Sequence, residues 1–234
     1  SDVYKRQLKI SEGCDNPCSF CAIPLMRGKH RSKPEERILS EMRACIEQGV
    51  KEFVVVAQDL TYYGLDIHGK RTLADLLQRM SDVPGAEWIR CMYAYPAKFP
   101  RDILPVIAER PNICTYLDMP LQHASTNVLK SMRRGITRRT TEELLAEIRS
   151  SVPGIALRTT FIVGYPNETD EDFAELCDFV RSNAFERMGV FTYSQEDDTY
   201  AHILGDPIPA DVKEERRRVL MEIQEEISLE KNQA

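Results

Sequence analysis

The sequence predicts an α/β fold built from six strand-helix units, and three observations carry that prediction. Six short apolar runs are rich in β-branched and aromatic residues, apolar residues recur at helical spacing between them, and start and stop residues sit at the joins. The runs cover residues 8–10, 53–57, 88–93, 114–117, 156–163 and 190–193. Repeated strand-helix units imply a parallel sheet. Six units are two short of a closed eightfold barrel, so the pattern suits an open partial barrel or a doubly wound sheet, and we favour the partial (β/α)6 barrel.

The helical segments follow in order. Ile38, Met42, Cys45 and Ile46 share one face, after a start at Pro34, Glu35 and Glu36 and before a stop at Gly49. Leu73, Leu76, Leu77 and Met80 form the next stripe, followed by Ile103, Leu104 and Ile107, and then by Leu144, Leu145 and Ile148. Thr169, Asp170, Glu171 and Asp172 suit the start of the helix that carries Phe173, Leu176, Cys177 and Val180. After the sixth strand, Pro207 and Pro209 lead into a long charged helix over residues 211–230, with Val212, Val219, Leu220, Ile223 and Ile227 on one face. Residues 1–7 show neither period and read as a boundary or tag segment, which leaves 8–234 as one core domain.

Composition narrows the class of function. The chain is 42% hydrophobic and 29% charged over 234 residues, enough for a substantial core, and no run approaches the roughly 20 apolar residues of a membrane span. A net charge of -6 argues against a surface built wholly for nucleic acid. Two basic clusters stand out: Arg27, Lys29, His30, Arg31 and Lys33, and Arg133, Arg134, Arg138 and Arg139. Either could meet RNA or an acidic protein segment, although solvated faces are the commoner meaning of such runs. Seven cysteines without the dense, even framework of a secreted domain point to reduced thiols and a cytoplasmic setting.

Three of those cysteines, Cys14, Cys18 and Cys21, fall in one loop at spacing C-x3-C-x2-C directly after the first strand. A cubane [4Fe-4S] cluster held by three thiolates keeps one iron without a protein ligand, free to chelate the amino and carboxylate groups of a cofactor. The competing reading is structural zinc, which wants four protein ligands and would have to recruit His30 or a distant cysteine. Cys45, Cys91, Cys114 and Cys177 lie among apolar neighbours and read as core.

The C-x3-C-x2-C loop with Phe20 before its third cysteine resembles the signature of radical S-adenosylmethionine enzymes, whose core is a partial (β/α)6 barrel. Four further segments resemble the methylthiotransferases among them. These are Ala22-Ile23-Pro24 with Arg27-Gly28, Ala57-Gln58-Asp59 with Tyr63-Gly64-Leu65-Asp66, the run from Tyr116 through Asp118-Met119-Pro120-Leu121-Gln122-His123-Ala124-Ser125, and Phe161-Ile162-Val163-Gly164-Tyr165-Pro166. The branch most similar modifies an aspartate of small-subunit ribosomal protein twelve. The related tRNA enzymes typically carry Gln-Ser-Gly in place of Gln122-His123-Ala124, and Gly-Gln-Asn in place of Ala57-Gln58-Asp59. One departure is visible, because Asp198 precedes Thr199 where the family often has glycine, so this loop is expected to differ in shape.

The resemblance implies cofactors, partners and roles. A reduced [4Fe-4S] cluster would cleave S-adenosylmethionine, and the resulting radical would activate the β-carbon of the substrate aspartate for methylthiolation. The backbone near Phe20 would meet the adenine, Gln58 the methionyl amino group, and Gln122, Ser125 or Arg158 the ribose or carboxylate. Turn and helix capping is the plain alternative for Gln122 and Ser125, and a surface position the alternative for Arg158. Gly164 marks a close backbone approach to a cofactor or a bend out of the strand. Polar residues at the strand ends, among them Gln58, Asp59, Tyr93, Tyr95, Glu168, Tyr193 and Glu196, would form the active-site face of a parallel barrel. Implied partners are a ribosomal protein substrate and an electron donor, with no membrane. The resemblance also implies an amino-terminal domain with a second cluster and a small carboxy-terminal β-domain, neither present in these residues, so methylthiolation by this chain alone is not expected. Two alternatives remain: a tRNA adenosine methylthiotransferase core, and a non-catalytic iron-sulfur or zinc module.

Overall fold

The computed structural model describes residues 4–233, which gather into two compact units. The first unit takes the described residues up to Asp15, Ile23–Asp118 and Ile148–Ile155. Its elements run β1 (Lys5–Lys9), β2 (Ser11–Glu12), α1 (Ile23–Arg27), β3 (Arg31–Ser32), α2 (Glu35–Glu47), β4 (Glu52–Val56), α3 (Leu65–His68), α4 (Leu73–Ser81), β5 (Trp88–Cys91), α5 (Ile103–Glu109) and β6 (Ile113–Asp118). The main strands of this unit lie parallel in the order β1-β4-β5-β6, with Lys5 opposite Glu52 and Glu52 opposite Trp88. β4, Glu-Phe-Val-Val-Val, buries its first four residues, as a strand covered on both faces should. Helix α2 begins at Pro34 with Glu35 and Glu36 in its first turn, and Gly49 follows its end at φ 89°.

Strand β1 starts at Lys5, inside the stretch read from sequence as a boundary segment, while residues 1–3 of that segment lie outside the described residues. The reason is physical: Lys-Arg-Gln-Leu-Lys ends the strand order and exposes all but Leu8, so it needs no apolar pattern. The antiparallel pair β2 and β3 is too short to leave a periodic signal.

The second unit takes Asn16–Ala22, Met119–Glu147 and the described residues from Ala156 onward. Its elements are α6 (Thr126–Ser131), α7 (Arg138–Ser151, whose last turn belongs to the first unit), β7 (Ala156–Val163), α8 (Asp170–Asn183), β8 (Arg187–Thr192) and α9 (Ala210–Gln233). β7 and β8 pair in parallel from Arg158 opposite Arg187 to Val163 opposite Thr192. β7 alternates strictly, with Leu157, Thr159, Phe161 and Val163 buried and Arg158, Thr160 and Ile162 on the other face. Thr169 and Asp172 form a capping box that starts α8. The rings of Phe161, Phe179 and Phe185 meet at centroid distances of 6.0 to 6.3 Å.

Helix α9 turns inward Leu220, Ile223 and Ile227 of its predicted apolar face, but not its valines. Lys213, Arg216, Leu220, Ile223, Gln224 and Ile227 are buried, so the inner stripe is charged in its first turns, and Val212 and Val219 are only half-buried. Polar partners within the unit, described below, make those inner charges tolerable. Among the described residues no helix is long and apolar enough to cross a membrane.

Candidate functional site

The loop that carries the three cysteines begins in the first unit. Gly13 has φ 78°, and a side chain there would collide with the backbone oxygens of Gly28 and Lys29, so only glycine fits. The Cys14 amide donates to Gly28 O at 3.2 Å, and His30 N-H donates to Asp15 Oδ1 at 3.1 Å. Cys14 is half-buried. Burial pushes the His30 imidazole below its usual range, against the pull of Asp66, Asp59 and Asp15.

Two strand ends in the same unit carry other residues singled out by sequence. Gln58 Nε2 donates to Glu12 Oε1 at 3.0 Å. Asp59 accepts from the Thr61 amide and hydroxyl, both at 2.8 Å, and so starts the short turn over Leu60–Tyr62. Tyr93 stands at φ 65°, in the left-handed region, with its amide donating to Asp118 Oδ2 at 3.0 Å.

The rest of the loop belongs to the second unit, where it is tightly bound. Ser19 N-H donates to Met132 O at 3.0 Å, Ser19 Oγ donates to Ser131 O at 2.9 Å, and Ala201 N-H donates to Ser19 O at 2.7 Å. Ser19 Oγ also lies 2.8 Å from Tyr165 Oη. The Cys21 amide donates to Cys18 O at 3.2 Å and closes a turn between two of the three thiols. Cys18 is buried and Cys21 half-buried. Arg134, only 4% exposed, donates through Nη1 to Cys18 Sγ at 3.2 Å. Sequence reading grouped Arg134 with surface arginines. In the structure that cluster dissolves: Arg133 stacks over Tyr200, Arg138 pairs with Glu142 and Glu175, and Arg139 lies 3.8 Å from Glu143.

Phe20 packs against Val128, Met132, Tyr165, Tyr193 and Ala201 and lines a cavity of about 330 Å³ together with Gln122, Thr160, Ile162, Phe191, Thr192, Tyr193, Ser194 and Glu196. Such a volume lies at the small end of ligand pockets. Gln122 reaches this position by a local distortion. Its φ is 77°, its amide donates to Thr160 O, and its carbonyl accepts from Ile162 N-H, both at 2.8 Å, so it bridges β7 beside Phe161. A non-glycine residue held there costs backbone energy, and such residues concentrate at functional sites. Arg158 shares the β7 face of Thr160 and Ile162 but is not among the cavity's lining residues, and neither are Ser125 and Gly164.

The same unit holds a buried charged network. Glu168 accepts the Gly164 amide at 3.0 and 3.1 Å, and Arg216 Nη1 at 2.5 Å. His123 Nδ1 accepts the Ser125 amide at 3.0 Å, so Nε2 carries the proton and donates to Glu168 Oε2 at 3.1 Å. Ser125 is 1% exposed, and its hydroxyl donates to Asp172. Gly164 has φ 73°, and a side chain there would strike the stem of Lys213, whose Nζ donates to Tyr193 O at 3.1 Å and to Asp206. Asp198 keeps φ 60°, the left-handed backbone a glycine would favour, and Thr199 Oγ1 donates to Glu196 O at 2.8 Å.

Among the described residues no three Cys, His, Asp or Glu side chains stand close enough together to form a metal-binding set. The donor chemistry nevertheless fits an iron-sulfur cluster: three thiols outside any disulfide, within one loop, with a buried guanidinium against one of them. Residues 8–180 match the family described as the Radical SAM superfamily. The chain belongs to that superfamily. Radical SAM enzymes use a [4Fe-4S] cluster and S-adenosylmethionine.

Similar curated proteins include two that are each named ribosomal protein uS12 methylthiotransferase RimO. The one from Chloroherpeton thalassium is 60% identical over 231 residues, which make up 99% of this chain and 53% of that protein. The one from Cytophaga hutchinsonii is 57% identical over 226 residues, 97% of this chain and 52% of that protein. The chain thus spans about half the length of these relatives. Among solved structures, coproporphyrinogen III oxidase (HemN) from Escherichia coli superposes with a TM-score of 0.66 at 17% identity, over 95% of this chain and 52% of that one. Methylornithine synthase (PylB) gives a TM-score of 0.62 at 16% identity, over 94% and 62%. The mostly parallel six-stranded α/β fold with a long carboxy-terminal helix is therefore the radical SAM fold that the sequence predicted.

Proposed function

We propose that this chain is the radical-generating core of a methylthiotransferase that acts on an aspartate of ribosomal protein uS12, with Cys14, Cys18 and Cys21 as the ligands of its [4Fe-4S] cluster. The observation that carries the reading is the 60% identity, across nearly the whole chain, to a protein named for that reaction. The same names favour a protein substrate over tRNA.

Cys14, Cys18 and Cys21 would hold the cluster, whose chemistry would be the supply of one electron for reductive cleavage of S-adenosylmethionine to methionine and a 5'-deoxyadenosyl radical. The chain's own residues bind and orient. In this reading Phe20 offers an apolar wall to the adenine, and Gln122, on its strained bridge, offers its side-chain carboxamide to the cofactor. Gln58 and Arg158 serve the methionyl amino and carboxylate groups. Gly164 makes room for the Lys213 stem, and Ser125 is tied to Asp172. An electron donor and a ribosomal protein substrate are the partners, and the cytoplasm is the setting.

Anaerobic loading with iron and sulfide, followed by dithionite and S-adenosylmethionine, tests this. Chromatography should find 5'-deoxyadenosine from the wild-type chain at least tenfold above Cys18→Ala. Equal amounts from the two proteins would refute the reading.

A further inference from the structure

Two adjacent arginines at the end of α6 have opposite fates. Arg133 stands at φ 56° and lays its guanidinium over the Tyr200 ring at 3.9 Å, on the outside of the unit. Arg134 turns inward and is 4% exposed. Its amide donates to Leu129 O at 3.0 Å, Nη2 to Pro120 O at 2.5 Å, and Nη1 to Cys18 Sγ at 3.2 Å. The left-handed step at Arg133, followed by Gly135 at φ 67°, is the local device that reverses the chain and aims the second arginine at the thiol.

A guanidinium cannot shed its proton in a protein, so Arg134 is a permanent positive charge inside the unit. A neutral thiol is a weak acceptor for such a donor, whereas a thiolate makes a charge-assisted bond with it. The chemistry of the contact therefore suits a sulfur that carries negative charge, as a metal-bound cysteine does. Hydrogen bonds to the sulfurs and local charge are among the properties that set iron-sulfur potentials. Reduction by one electron adds a negative charge, so a fixed cation at a ligand sulfur stabilises the reduced form more than the oxidised form.

We infer that Arg134 tunes the cluster: its hydrogen bond to Cys18 Sγ raises the reduction potential and brings the one-electron step within reach of a low-potential donor. The inference rests on the reading of Cys14, Cys18 and Cys21 as cluster ligands. Arg134 is in this sense a positioning residue that acts through Cys18. It does not itself meet the substrate.

The test is a potentiometric titration of the anaerobically loaded wild-type chain, Arg134→Gln and Arg134→Met, with dithionite as the one-electron donor. Iron and sulfide content are measured first, and the reduced signal is then followed by electron paramagnetic resonance. Arg134→Gln keeps a donor without the charge, and Arg134→Met keeps neither. At a fixed potential the ratio of reduced to oxidised cluster should fall at least tenfold in Arg134→Met, a midpoint 59 mV more negative for one electron, with Arg134→Gln between it and wild type. If Arg134→Met does not load, the negative shift in Arg134→Gln carries the test. Loaded variants with the wild-type midpoint and spectrum would overturn the inference while leaving the ligand reading intact. A wild-type chain that takes up no cluster would refute the ligand reading, and the inference with it.

Discussion

The two units bury charge in different ways. In the first, the buried acids sit at strand ends and the sheet margin. Asp59 and Asp118 accept backbone amides, and Glu52 pairs with Arg90 at 3.0 Å, while Val55, Leu77, Ile89 and other aliphatic side chains fill the interior. In the second, both members of an ion pair are inside: Glu168 is 5% exposed and Arg216 7%, and Lys213 and Arg134 are buried as well. Charge in that position costs more than it returns unless every partner is placed. In the second unit the buried network holds backbone in place, Glu168 accepting the Gly164 amide and its partner His123 accepting the Ser125 amide.

Breaking the ion pair should produce the largest effect. Arg216→Met leaves Glu168 buried without its guanidinium and should cost about 3–5 kcal/mol in urea unfolding. A cost below about 1 kcal/mol would mean that the network is not the stabilising feature of its unit. In the first unit the cost should come from lost packing, so Leu77→Ala is expected to lose about 2–5 kcal/mol, and cavity-binding behaviour in the second unit should be unchanged. Removal of the α8 cap by Thr169→Ala should cost about 1 kcal/mol on the same assay.

The smallest effect is on pH dependence. Burial lowers the folded-state pKa of His30, so the unfolded chain takes up the proton first as pH falls. Its contribution is fully present above about pH 6.5 and is lost as pH drops through the lowered folded value. The urea midpoint should therefore fall between about pH 7 and pH 5 in wild type, and His30→Gln should flatten that slope. An identical slope in the variant would contradict the assignment.

Much of the fold was legible because the strands are rich in β-branched and aromatic residues. The run at residues 156–163 coincides with β7, and Thr169 with Asp172 marks the true start of α8. β1 was misjudged at its start because a solvent-facing strand of Lys, Arg and Gln has no apolar period. On α9 the buried Leu220, Ile223 and Ile227 were legible, but the first turns were not, because Lys213 and Arg216 occupy core positions for partners far away in sequence, Asp206 excepted. The cysteine loop announced itself by spacing, but Arg134 could not, since a basic run reads as surface until a fold shows which member turns inward. Gly135, just after it, was the one local hint of that reversal. Cys91 was correctly read as core, with burial and Cys114 pushing its thiol up to about 12.

The central claim is that three thiolates hold a cluster with one iron left open for S-adenosylmethionine. The most direct measurement is electron paramagnetic resonance of the loaded, reduced chain before and after S-adenosylmethionine is added, alongside iron analysis. The account predicts four irons per chain and a spectrum that changes when the cofactor binds the open iron. Zinc in place of iron, or a cluster spectrum indifferent to the cofactor, would contradict it.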